Sequence, residues 1–269
     1  MTMLSGISRK TLRDQRFGLL GWAAGLILLI AMYVAMWPSI RDQPSMRTLL
    51  DQMPEALRGL FSAGGADLST PTGYVQVELL AFMGPMLLLI YAITTGAAAI
   101  AGEEEHRTAD LLLTCGVRRS DVVLHKAAAL AAGVTALALV TGAALVAEGA
   151  LVGMHLPAGR VAAAMLHLAL LALVFGSLAL AIGATFGHAG ASRAIPAAVA
   201  VLAYVVNGLG QVIGWLRPVR KLSPFYQYLG HDPLRTGVSV AALLVAGVTV
   251  AALLGVAMLG VRRRDFSAQ

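Results

Sequence analysis

Three ionisable side chains stand where the sequence is otherwise apolar: Glu78, Glu148 and His167. A carboxylate or imidazole in such surroundings is costly to bury and is kept where it meets protein, water or a passing solute. Two acids and a histidine can hold a proton and can pair with one another. Their chemistry is therefore that of a shared polar lining, with a carboxylate–imidazole pair as one arrangement. The plainer alternative is that each pairs structurally or reaches for the interface. Self-contained catalysis has no comparable support. The dipeptide Gly-Lys never occurs, so there is no Gly-x-x-x-x-Gly-Lys-Ser/Thr loop to cradle a nucleotide phosphate. No histidine opens a His-Glu-x-x-His pair, and no Gly-x-Ser-x-Gly elbow appears. Cys115 is the single cysteine and can form no internal disulfide.

The elements that carry these groups must live in lipid. The chain has 269 residues, of which 58% are hydrophobic and 13% charged, and its mean hydropathy is +0.78. Soluble domains carry about 25% charged residues, so this is an integral membrane protein. Apolar segments fall at about 17–37, 74–101, 127–154, 161–187, 194–215 and 238–261. Each is long enough to cross a hydrocarbon core of about 30 Å as a helix. The expected fold is all-α: one transmembrane domain of six helices spanning residues 1–269. The first apolar run is too long for a cleaved leader and reads as a retained span.

Orientation follows from lysine and arginine near the span ends. With both termini inside, Arg9, Lys10, Arg13, Arg16, Arg107, Arg118, Arg119, Lys126, Arg193 and Arg262–Arg264 are cytoplasmic. The opposite face keeps Arg41, Arg47, Arg58, Arg160, Arg217, Arg220, Lys221 and Arg235, so the exception is concentrated in residues 215–237. In this frame Glu78, Glu148 and His167 all lie within about 6–9 Å of the outer span ends. The formal charge of +6 then reports topology rather than nucleic acid. Residues 1–16 suit a helix lying on the inner leaflet. Residues 46–61 repeat apolar positions at three and four, predicting an amphipathic outer helix broken at Pro54. Gly64-Gly65 and Pro71-Thr72-Gly73 then turn the chain back, and Gly84-Pro85 predicts a kink in the second span. Gly-x-x-x-Gly spacing occurs at Gly21/Gly25, Gly149/Gly153, Gly183/Gly187 and Gly210/Gly214, each a weak signal for close helix approach.

Between the second and third segments lies a charged island, Ala101 to Lys126, with five acids and four basic residues. It cannot lie in lipid. Glu103 and Arg107 form an i,i+4 pair with the acid first, the favourable order. Leu111–Leu113 give a short apolar face, Gly116 can end the helix, and Ser120 with Asp121 can cap the next. The pattern predicts helix, glycine turn, helix at the mouth of the membrane. Such a helix is either a lever that a partner grips or a solvated loop that only sets topology.

The wording of this island resembles ABC-2 type permeases, the membrane subunits of ATP-driven bacterial exporters: Gly102-Glu-Glu-Glu, then Thr108-Ala-Asp-Leu-Leu-Leu113, then Arg118-Arg119 and Lys126. Leu222-Ser-Pro-Phe-Tyr-Gln-Tyr-Leu-Gly-His-Asp-Pro-Leu234 is similar to the Ser-Pro-Phe/Tyr element before the last span of that family. Cys115-Gly116 departs from its usual Ser/Thr-Pro, and His106-Arg107 from its Arg/Lys-Gly. The resemblance leans towards daunorubicin- or tetronasin-like antibiotic exporters. It implies a non-catalytic, multi-pass subunit of the bacterial cell membrane that moves a hydrophobic or amphipathic drug, antibiotic or lipid outwards. Glu103, Glu104 and Glu105 would sit at the inner membrane surface, and Leu111, Leu112, Leu113 and Arg118 would meet a separately encoded ATPase. That ATPase, in two copies, would bind the ATP and Mg that this chain does not. A second permease subunit, the same or similar, would complete the pathway. Phe225 and Tyr226 would fall in a re-entrant outer element that closes the exit, or serve as belt aromatics at headgroup level. Alternatives from other classes are a membrane scaffold or sensor docking a regulatory protein, and a secondary transporter. The latter is expected to carry midplane charges for ion coupling, and none is seen.

Overall fold

The computed structural model describes residues 2–41, 70–102 and 119–263. Every regular element among them is helical. Six helices are long and apolar enough to cross a membrane: Phe17–Arg41, Pro71–Ala101, Ser120–Leu151, Ala158–Phe186, Ala189–Leu209 and Val240–Arg263, here spans 1 to 6. Crossing in alternation, they put Gly102, Arg119, Gly187 and Arg263 at one end of the bundle, the island end. Arg41, Pro71, Leu151, Ala158, Leu209 and Val240 lie at the other, the cap end.

Local chemistry explains most of the boundaries. Span 1 is the continuation of a single helix from Thr2 to Arg41. Its buried stripe, Leu26, Ile30, Val34 and Trp37, repeats every three or four residues. Phe17, Leu28, Met32 and Met36 are left facing outwards, as lipid-facing residues should be. Pro71-Thr72-Gly73 does not form a turn before span 2 but its first helical turn. Proline fits there because the missing N–H would be unpaired anyway, and Thr70 Oγ1 caps it by accepting from Gly73 N at 3.2 Å. Span 4 ends at Gly187, whose φ of 72° is the left-handed cap that glycine adopts without strain. Span 5 stops at Leu209, short of the expected 215, because Gly208 and Gly210 weaken the helix there. A Cβ on Gly210 would also lie 2.8 Å from Arg220 Cβ, so the following segment folds back against it. The predicted outer helix of residues 46–61 lies outside the described residues.

Span 4 is the hub, packing most extensively against spans 2 and 6. Of its most apolar window, 78% is buried inside the protein, against 17% for spans 1 and 6. Among the described glycines, the tightest approach to the backbone of another helix is not at any Gly-x-x-x-Gly pair. It is where span 2 crosses span 4: a Cβ on Gly96 would stand 2.2 Å from the Gly176 carbonyl oxygen, and one on Gly176 3.1 Å from the Ala92 oxygen. Gly21 and Gly25 face open space.

Candidate functional site

The chain between spans 5 and 6 builds a cap from short helices, Arg217–Arg220, Pro224–Leu229 and Pro233–Thr236, after a 3-10 turn at Gly214–Leu216. Ser223 starts the central one. Its hydroxyl accepts from Phe225 N at 3.2 Å and donates to the Ala203 carbonyl of span 5 at 2.9 Å. Pro224 occupies the first helical position, where no N–H is needed. Phe225 is buried and joins a ring cluster: it lies 6.0 Å from Phe175 of span 4 and 5.4 Å from Tyr204 of span 5, which is 5.7 Å from Phe82 of span 2. Tyr226 is half-buried, with the Arg220 guanidinium 5.1 Å above its ring and His231 at its edge. Arg220 Nε in turn donates to Asn207 Oδ1 at 3.1 Å.

Tyr228 reads in the sequence as one more belt or gate aromatic of residues 215–237, and in the structure it makes a long-range link in the cap. Its hydroxyl donates to the Leu80 carbonyl of span 2 at 3.0 Å, across 148 residues of chain. Burial pushes its phenol well above the ordinary tyrosine range, which keeps it a donor. Span 2 explains why an acceptor is waiting. Gln76–Met83 is a π-helix, and Gly84 N donates to Leu79, five residues back. In that register the next donor, to Leu80, would come from residue 85. Residue 85 is proline and has no N–H. The expected kink at Gly84-Pro85 is thus a change of helical register, a form in which π-segments commonly appear at functional sites. A second π-turn, Ala98–Gly102, ends span 2 at the threshold of the charged island.

The three ionisable groups all lie towards the cap end, each in its own surroundings. Glu78 lies in the π-segment of span 2 and is partly buried. Tyr74 donates to the Tyr33 carbonyl at 2.8 Å and stacks on Trp37 at 5.2 Å. Glu148, three residues from the end of span 3, has its Oε2 buried without a hydrogen-bond partner among the described residues. His167 is buried in span 4, and its Nε2 accepts from Ser239 N at 3.2 Å where the chain enters span 6. No ion pair or hydrogen bond joins the three, so the carboxylate–imidazole pair is not formed. His167 also lines a narrow cleft of about 70 Å³ with Gln227, Tyr228 and Thr249. Sequence reading passed over Gln76, which is neutral and so raised no charge signal. It is 2% exposed, and neither its amide nitrogen nor its oxygen finds a partner among the described residues.

Within the cap, Asp232 adopts φ 45°, a left-handed conformation that aspartate tolerates better than most residues. Its Oδ1 is buried without a partner, and Oδ2 lies 3.9 Å from Arg235. Burial pushes the Asp232 carboxyl above the ordinary range, and the Arg235 charge opposes that shift. The residues proposed to couple to an ATPase, Glu103, Glu104, Glu105, Leu111, Leu112, Leu113 and Arg118, lie outside the described residues.

A bundle of six helices long and apolar enough to cross a membrane, with short helices capping one end, defines a multi-pass membrane protein. The family model described as "ABC-2 family transporter protein" matches residues 6–230. The chain belongs to the ABC-2 transporter family, whose members are membrane permease components of ABC transporters and work with a partner ATPase. No curated protein matches the chain.

Proposed function

We propose that this permease is the membrane half of a bacterial ATP-driven exporter for a hydrophobic or amphipathic substrate, a drug, antibiotic or lipid. The observation that carries the reading is the construction of span 2. Its island end runs directly into residues 103–118, and its cap end is hydrogen-bonded through Leu80 to the helix that closes the bundle. A displacement imposed on the island is therefore delivered along one helix to the cap. Glu103–Glu105, Leu111–Leu113 and Arg118 are the proposed contact with an ATPase, which holds ATP and Mg and supplies the stroke. Two permease copies, or this chain and a similar one, would enclose the pathway and recruit two ATPase subunits. Phe225, Tyr226 and Tyr228 act as the outer gate. Glu78, Glu148 and His167 serve as separate polar stations near the exit.

Support comes from the family match, from the apolar character of the spans, and from the aromatic seal at the cap. The decisive experiment is purification from native membranes followed by reconstitution. An ABC ATPase should co-purify, and charge reversal at Arg118 together with Leu112→Asp should abolish ATP-dependent export while leaving the permease folded. Purification without any ATPase, or export untouched by those changes, overturns the reading.

A further inference from the structure

The segment Gly214–Leu222 is the part of the cap that gating leaves unused. It carries Arg217, Arg220 and Lys221 and no acid. Along one side it is tied to protein: Leu216 is buried, and Arg220 is held by Asn207 and Tyr226. Its remaining apolar residues are free. Trp215, Val219 and Leu222 recur at i, i+4 and i+7 and are 74%, 42% and 84% exposed. Arg217 and Lys221 are exposed beside them. The segment starts five residues after span 5 ends at Leu209, which sets it at the level of the bilayer interface. An exposed indole and aliphatic side chains interleaved with basic heads are the composition of a segment that lies at a membrane interface.

Charge decides what covers this surface. A second copy docked here about a two-fold axis would set three bases against the same three, and like charges across an interface are costly. Topology argues the same way. Lysine and arginine close to span ends are disfavoured on the outer side of a membrane, so bases kept there need an anionic counterpart.

We infer that Gly214–Leu222 is a binding surface for acidic phospholipid of the outer leaflet. Trp215, Val219 and Leu222 enter the acyl region, and Arg217 and Lys221 hold headgroup phosphates. Ser223, which caps the gate helix and ties it to span 5, follows immediately. Anionic lipid would thus fix the platform on which the gate helix is seated. The inference concerns the lipid around the protein and stands whether or not the cargo is a drug.

The test uses the full-length protein in nanodiscs of phosphatidylcholine alone or mixed with phosphatidylglycerol, with amide hydrogen exchange read across residues 214–222. Phosphatidylglycerol should slow exchange there by on the order of fivefold for each base engaged, and high salt should weaken the effect. Arg217→Gln with Lys221→Gln should remove the difference between the two lipids. Trp215→Ala should speed exchange in both lipids alike. Amine crosslinking supplies a second readout on the wild-type protein: a Lys221–Lys221 link can form only between two copies. Equal exchange in both lipids, salt-insensitive protection, or an abundant Lys221–Lys221 link overturns the inference.

Discussion

The link between Tyr228 and Leu80 gives the sharpest prediction. Tyr228→Phe removes one hydroxyl and keeps the buried ring, so packing is retained. The Leu80 carbonyl then has no donor from the cap, and Pro85 cannot supply one from its own helix. A buried acceptor left without a partner costs about 1–3 kcal/mol. For a chain of this size, 1 kcal/mol moves the melting temperature by about 2–4 °C, so the variant should melt lower by roughly 2–12 °C in detergent. Pro85→Ala supplies the missing N–H, and in that background Tyr228→Phe should cost less. A double-mutant cycle should therefore show coupling of about 1 kcal/mol. Transport provides a second reading: ATP hydrolysis should persist while export falls, because the stroke no longer reaches the gate. Full penalties in both backgrounds, with zero coupling, would refute the register argument. An unchanged melting temperature in Tyr228→Phe would refute the link itself.

Other outcomes can be checked beside it. Gly96→Ala places a methyl where only 2.2 Å separates it from the Gly176 oxygen, so overpacking should cost about 3 kcal/mol or more, seen as loss of monodisperse protein. Gly25→Ala, facing open space, should be neutral or gain up to about 1 kcal/mol by thermal melting. His167→Phe removes the acceptor for Ser239 N and should loosen the entry to span 6, with faster amide exchange at Ser239 and a loss of about 1 kcal/mol. Asp232 supplies a pH dependence. Its folded value is raised above the ordinary 3.8, so its contribution to stability is full below 3.8 and is lost as pH rises through the folded value. Asp232→Asn tolerates the left-handed backbone and should therefore stabilise the protein at pH 7 by about 1 kcal/mol. That advantage should vanish by pH 3.5, and an advantage that persists there would show the charge to be irrelevant.

The spans were legible because lipid enforces a simple rule: long apolar runs become helices. A disturbance of span 2 at Gly84-Pro85 was legible too, since proline removes a donor wherever it sits. Its form was not. Whether the helix answers with a bend or a wider register depends on what accepts and donates nearby, and Tyr228 lies 148 residues away. The glycine pairs were a weak guide for a related reason. Gly21 and Gly25 have the spacing of a contact, yet the contact falls at Gly96 and Gly176, which belong to different helices and share no sequence pattern. Glu78, Glu148 and His167 could be placed by depth along their spans but not by the face they occupy. Depth put all three near one end, and no hydrogen bond or ion pair joins them there.

The burial of span 4 has a consequence for how the protein is made. Its largest neighbours are spans 2 and 6, and span 6 leaves the ribosome well after span 4. Synthesis proceeds at about 5–20 residues per second, so span 4 waits several seconds with the side meant for span 6 uncovered. Its window is the most buried of the six yet nearly as hydrophobic as the most apolar, at 2.4 against 2.5 for span 6. Lipid can shelter it meanwhile. A helix destined for the protein interior is thus written as if for the membrane, because one side of it must first face lipid.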